Sequence, residues 1–239
     1  MAPSAPRGVH QHVVSRIGQE IVSGTYPEGA VLEPPAIMQE FGVSRTLVRE
    51  VFRVLESKGL IEARPKVGTT VSNRAKWKLL DEDVMSWRAY GASDRQLLSE
   101  LEEVRLVVEP ICSRLCADRA SDEHVALIAD AGREIEESER LGDVERVIES
   151  DLQFHLLILR GAQNELLEQF EVLLEPALRA RNRVNLEHQH SAKFVLNHLS
   201  VASAIQERNG PLAETAMREL LREASTDTQA VINGTYYSD

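Results

Sequence analysis

The 239-residue chain is short of aromatic residues, which make up 5% of it, and it has only two cysteines, Cys112 and Cys116. That pair, spaced i, i+4 on one predicted helix, has too few partners to build a disulfide framework or a cysteine-rich zinc site. Two reduced, part-buried thiols are expected instead. No run approaches the roughly 18 apolar residues of a membrane-spanning helix, and no signal-peptide-like apolar segment is present. Internal repeats and low-complexity tracts are also missing. The expectation is a cytoplasmic protein with no membrane partner.

A net positive charge is lacking too. The balance of −11 argues at first against a nucleic-acid binder. The charge is unevenly placed, however. Residues 1–78 hold 11 Lys and Arg against 7 Asp and Glu, a balance of +4, and residues 79–239 hold 16 against 31, a balance of −15. A basic head on an acidic body fits a DNA-binding domain joined to a regulatory one. Apolar residues make up 43% and charged residues 27%, ordinary for a globular chain. The apolar residues recur mostly at three-to-four spacing. The fold class expected is therefore mainly α, with a core sizeable enough for one large or two smaller domains.

The most informative stretch is Gly42 to Gly59. Ser44 suits a helix N-cap, and Leu47, Val51, Val54 and Leu55 make one apolar stripe at helical spacing. Arg45, Arg49 and Arg53, at i, i+4 and i+8, line another face. Arginine bonds guanine edges and phosphates in a bidentate way, although a merely solvated face would show the same spacing. The flanking residues decide between these. A first helix is expected from about Val9 to Val22, then turn chemistry at 24–29 and a short strand at Val31-Leu32. Pro34 and Pro35 open a second helix that ends at Gly42. Two strands, 60–64 and 69–71, joined by Pro65-Lys66-Val67-Gly68, form a hairpin with a basic tip. A short helix, a tight turn and an Arg-striped helix make a helix-turn-helix whose second helix enters the major groove, and the hairpin is its wing.

The stretches I-V-S-G-T-Y-P-E-G-A-V-L and F-G-V-S-R-T-L-V-R-E-V-F-R-V-L-E-S-K-G-L-I, with the G-T-T-V wing, resemble the winged-helix domain of GntR-type bacterial transcription regulators over residues 10–72. The resemblance implies DNA contacts from Ser44, Arg45, Thr46 and Arg49, and from Lys66, Gly68 and Thr69 at the wing. Two departures stand out. Leu32-Glu33-Pro34-Pro35-Ala36 replaces the family's usual Leu-Pro-Ser-Glu-Arg, and Lys66 stands where glycine is common.

The head is bounded at residues 1–74, with a connector at 75–93 and a body at 94–239. Leu79, Leu80, Val84, Met85 and Trp87 make the connector too apolar for a free linker, so it is expected to pack between head and body. The body reads as an all-helical bundle with helices at 94–118, 122–139, 143–160, 163–185, 192–208 and 211–231. Three features there carry potential chemistry. Arg105, among Leu101, Val104 and Val108, either snorkels to solvent or clamps a carboxylate. Asp151 and His155 share a helical face, as metal ligands or as a plain hydrogen-bonded pair. His198 lies near a helix start, where a surface or capping role is ordinary.

E-V-R-L-V-V-E-P, D-L-Q-F-H-L-L-I, N-H-L-S-V-A-S-A-I and A-E-T-A-M-R-E-L-L are similar to landmarks of the FadR-type C-terminal ligand-binding domain (FCD). Many such domains bind a divalent metal such as zinc through one Asp and three His. Asp151, His155 and His198 match the first three, and the third histidine falls at Leu220. The connector W-x-x-L-D-x-D-V-x-x-W and the L-V-V-E-P stretch look most like regulators of galactonate catabolism. This implies an anionic effector of the sugar-acid class contacting Arg105, Asp151, His155 and His198. The leading expectation is a homodimeric, effector-released repressor on a short inverted-repeat DNA operator. The alternative is a metal-dependent enzyme acting on a small organic acid through Asp151, His155 and His198, for which no further catalytic constellation is visible.

Overall fold

The computed structural model describes residues 7–90, 95–185 and 193–233. The chain falls into two compact units, residues 1–91 and 92–239. The first contains α1 (Arg7–Val22), α2 (Pro34–Phe41), α3 (Arg45–Ser57), β1 (Ile61–Arg64), β2 (Gly68–Val71) and α4 (Glu82–Tyr90). Val13, Val14, Ile17 and Ile21 of α1 close over Val48, Val51 and Leu55 of α3 and over Leu60, Ile61 and Val71.

The helix-turn-helix forms for local reasons. Pro34 and Pro35 occupy the first turn of α2, and Gly42, at φ 63°, ends it with its N–H donated to the Met38 carbonyl. Glu33 makes no side-chain capping bond, in keeping with the unusual Leu32–Ala36 segment. Ser44 then caps α3, its hydroxyl accepting the Leu47 N–H at 3.3 Å. In the wing, Ile61 pairs with Val71 and Arg64 with Gly68. Instead of a separate strand, Val31 makes an isolated bridge to Thr70. Lys66 sits at φ 65°, a left-handed conformation that accounts for glycine being common at that turn position.

The stretch read as a connector places its largest side chains in the first unit. Val84 and Trp87 of α4 join the core beneath α1, and Trp77 packs against its edge. Gly18 makes room for this, since a Cβ there would lie 2.3 Å from the Trp87 ring. Lys58, the C-cap of α3, holds the start of α4 through Asp81 at 2.8 Å and Asp83 at 2.7 Å. Leu80 remains 69% exposed.

The second unit is all helix among the described residues: α5 (Arg95–Arg119), α6 (Asp122–Leu141), α7 (Val144–Gly161), α8 (Glu165–Glu168), α9 (Glu171–Asn185), α10 (Phe194–Gln206) and α11 (Gly210–Asn233). Ile128 and Ile135 of α6, Leu152, Phe154 and Ile158 of α7, Val201 and Ile205 of α10 and Met217 and Leu221 of α11 fill its centre. The single helix expected over 163–185 is broken. Asn164 caps the one-turn α8 by accepting the Leu166 and Leu167 N–H groups. Phe170 then turns toward the core, and its carbonyl takes the Leu173 and Leu174 N–H groups to start α9. Residues 94 and 192, at the ends of expected helices, lie outside the described residues. Cys112 and Cys116 are buried free thiols, each pushed up to about 12 chiefly by burial. No described helix is long and apolar enough to cross a membrane.

Candidate functional site

Two groups of side chains answer to the sequence reading, one in each unit. In the first, the apolar stripe of α3 is turned inward, with Leu47, Val48, Val51 and Leu55 buried. Ser44, Arg45, Thr46 and Arg49 are consequently left exposed on the N-terminal end of the helix. Arg53 is ion-paired to Glu50 at 2.7 Å, and no ion pair among the described residues takes Arg45 or Arg49. Lys66 and Gly68 are exposed at the wing tip and Thr69 is half-buried. Two uncommitted guanidiniums at the tip of a helix-turn-helix second helix are what base and phosphate contact requires.

In the second unit α5, α7 and α10 converge on a buried polar cluster. Asp151 and His155 come from one face of α7, because an i, i+4 spacing stacks them. His198 arrives from α10, and its Nε2 lies 3.0 Å from Asp151 Oδ1. His155 Nε2 stands 3.6 Å from the same oxygen. One ligand atom from each of the three lies within 4.8 Å of the others, and all three residues are buried. Phe194 and Phe154 close the ring edges of His198, with centroids at 4.6 and 5.2 Å.

Arg105 does not snorkel. It is 4% exposed and donates through Nε to Glu109 Oε1 at 2.5 Å, one turn further along α5. Its Nη2 lies 3.4 Å from His155 Nε2. Burial works against the charge on Glu109, but Arg105 and His155 outweigh it and hold the carboxyl down to about 2. Glu109 Oε2 also approaches His155 Nδ1 to 2.5 Å. That approach runs off the ring N–H direction, so Nδ1 has no aligned hydrogen-bond partner. In the sequence Glu109 is visible only as part of a motif. Its i, i+4 spacing from Arg105 is the signal for a pair, and its meeting with α7 has no local trace.

The donor set can be tested chemically. His198 donates Nδ1–H to the Phe194 carbonyl at 2.8 Å, and burial lowers its pKa in spite of Asp151. A neutral ring with that tautomer turns the bare Nε2 lone pair toward the Asp151 carboxylate. Two lone pairs 3.0 Å apart repel unless a proton or a cation lies between them. Burial also disfavours a charge on His155, but Glu109 and Asp151 override it and raise its pKa. One carboxylate and two imidazoles gathered out of water fit a divalent cation with open coordination positions. Leu220, at the place of the family's third histidine, is a buried core side chain that offers no ligand atom.

Residues 9–71 match the model of bacterial regulatory proteins of the gntR family, and residues 100–223 match the FCD domain. The chain belongs to the GntR family, in the branch that carries an FCD domain. It is 31% identical to the galactonate operon transcriptional repressor of Escherichia coli K12, over 89% of this chain and 93% of that one. It is 28% identical to the transcriptional repressor NanR of Klebsiella aerogenes, over 96% of this chain and 88% of that one. Among solved structures, the fold is shared with Lar, which controls the agr system of Listeria monocytogenes, at a TM-score of 0.62 and 15% identity over 95% of this chain and 99% of that one. It is also shared with E. coli McbR/YncC, at 0.56 and 17% over 94% and 99%. A GntR head on an FCD body is a ligand-responsive DNA-binding transcription regulator, not an enzyme. The reading of Asp151, His155 and His198 as a catalytic centre is therefore set aside.

Proposed function

We propose that this GntR-family regulator is a cytoplasmic, homodimeric repressor of a sugar-acid catabolic operon, released from its DNA by a sugar acid such as galactonate. The observation that carries this reading is the buried cluster of Arg105, Glu109, Asp151, His155 and His198, in a chain 31% identical to a galactonate operon repressor. Arg105 and Glu109 neutralise one another. Asp151, His155 and His198 would hold a divalent cation such as zinc, which when bound would supply a positive centre for the effector carboxylate. Asp151 and the two imidazoles orient that centre, Arg105 adds a donor beside it, and Phe154 and Phe194 keep water from the ring edges.

In the head, Ser44, Arg45, Thr46 and Arg49 read the operator, with Lys66, Gly68 and Thr69 on the wing. Two-fold symmetry of the dimer matches an inverted repeat. An effector that prefers one arrangement of the dimer shifts its affinity for DNA by that preference.

The test is thermal unfolding of the purified protein with galactonate, with zinc and with both, beside gel shifts on the promoter DNA. Galactonate plus zinc raises the midpoint by mass action and releases the DNA. No shift with any sugar acid, with zinc present, rejects the effector class. Arg45→Ala and Arg49→Ala each weaken operator binding by about 1–3 kcal/mol for every base the guanidinium reads. Unchanged gel shifts at fixed salt reject the assignment of α3.

A further inference from the structure

Glu109 is the one charged member of the buried cluster to which no ligand contact falls. It is 1% exposed, and Arg105 reaches both of its oxygens, with Nη2 donating to Oε2 at 3.5 Å. Oε1 takes the Arg105 Nε–H at 2.5 Å, and Oε2 lies 2.5 Å from His155 Nδ1. We propose that Glu109 is a positioning residue that keeps the proton of His155 on Nδ1, so that Nε2 faces Asp151 and His198 as a bare lone pair. This rests on the reading of Asp151, His155 and His198 as a cation site.

Three observations support it. His198 already shows the same arrangement, with Nδ1–H spent on the Phe194 carbonyl and Nε2 on the side of Asp151. At the other nitrogen of His155 the near neighbour is Arg105 Nη2, at 3.4 Å. Guanidinium can only donate, so Arg105 favours a neutral His155 that accepts at Nε2 and carries its proton at Nδ1, against the pull of Asp151 Oδ1, 3.6 Å from the same Nε2. On that side Glu109 Oε2 is the near acceptor atom, close to Nδ1 although off its N–H line, and Arg105 stops it from rotating away. The cluster then has two imidazoles with the same tautomer, one set by a backbone carbonyl and one by a carboxylate. A carboxylate behind a ligating histidine fixes ring orientation and raises the basicity of the ligating nitrogen.

The arrangement makes a pointed prediction for Glu109→Gln. Arg105 Nε demands an acceptor, so the amide oxygen must take the place of Oε1. The amide NH2 is then left facing His155 Nδ1, which has to become the acceptor. The proton moves to Nε2, the nitrogen meant for the cation, where Asp151 Oδ1 at 3.6 Å is the acceptor.

The experiment uses full-length protein with 15N-labelled histidine. Long-range 1H–15N spectra are recorded without metal, above the pH at which the rings titrate, and zinc affinity is measured by competition with a chelating dye. Wild type shows His155 as the Nδ1–H tautomer. Glu109→Gln shows it as Nε2–H and binds zinc about 10–100-fold more weakly. A Glu109→Gln protein with the wild-type ring signature and wild-type zinc affinity overturns the proposal. In the double variant Arg105→Met with Glu109→Met both charges are removed together, and the ring populates both tautomers. A pure Nδ1–H signal there also overturns it. If wild type takes up no zinc, the cation reading fails by itself, and the metal-free ring spectra still decide the role of Glu109.

Discussion

At the scale of single residues, the side chains with local jobs are the legible ones. Ser44 has to be a cap because a short hydroxyl before an apolar helical stripe has few other uses, and its oxygen does take the Leu47 N–H. Gly18 is not legible. It lies inside α1, where glycine is mildly unfavourable, and nothing nearby in the sequence says why. The reason is Trp87, far along the chain, whose ring carbons stand 2.3 to 2.6 Å from where a Cβ would be. Gly18→Ala is expected to destabilise the head by about 1–3 kcal/mol, because the indole must leave its pocket or push α1 outward. Tryptophan fluorescence during urea unfolding checks this, through an earlier transition and a more solvent-exposed indole in the native state. A transition matching that of wild type would mean that the packing gives way without cost.

At the scale of elements, periodicity marks the helices of the body but not every boundary. Pro110 lies inside α5 without ending it. The expected helix over 163–185 divides at Phe170, because an aromatic ring drawn to the core outweighs the continuity of local propensity. Packing between elements also decides how α4 is held. Burial alone would lower the pKa of Lys58, but hydrogen bonds to Asp81 and Asp83 outweigh it and raise the value. A group whose folded pKa is raised contributes stability that is fully present below its ordinary value of 10.5 and is lost as pH rises through the folded value. Lys58→Met is therefore expected to lower head stability by about 1–3 kcal/mol at neutral pH, between the costs for exposed and for buried pairs. The difference between wild type and variant shrinks above pH 10.5. Urea midpoints of the two proteins, followed from neutral pH to about one unit above that value, measure it. A constant difference would exclude the ion pair as its source.

At the scale of the whole molecule, charge is divided between the two ends of the chain. The excess of +4 in residues 1–78 sits with the exposed Arg45, Arg49 and Lys66, and the −15 lies beyond it. Operator binding should therefore depend steeply on salt although the protein is acidic overall. With about 6–10 phosphates neutralised by the proposed dimer, affinity is expected to fall by about 10³ to 10⁵ between roughly 50 and 200 mM salt. A salt titration of binding, together with the mass of the free protein from light scattering, checks both the phosphates engaged and the dimer. A flat salt response would argue that the head does not bind through phosphates.

The sequence by itself determined the helix-turn-helix, the wing, the helical body and the identity of Arg105, Asp151, His155 and His198 as side chains to watch. These are readable because capping, turn chemistry, i, i+4 stacking and charge balance all act within a few residues. Tertiary structure alone decided what those side chains face. That Arg105 spends its charge on Glu109, that His198 comes to Asp151 across 47 positions and that Trp87 needs Gly18 are matters of how elements meet. Such pairings are set by how helices pack, and packing leaves no periodic trace in a single chain.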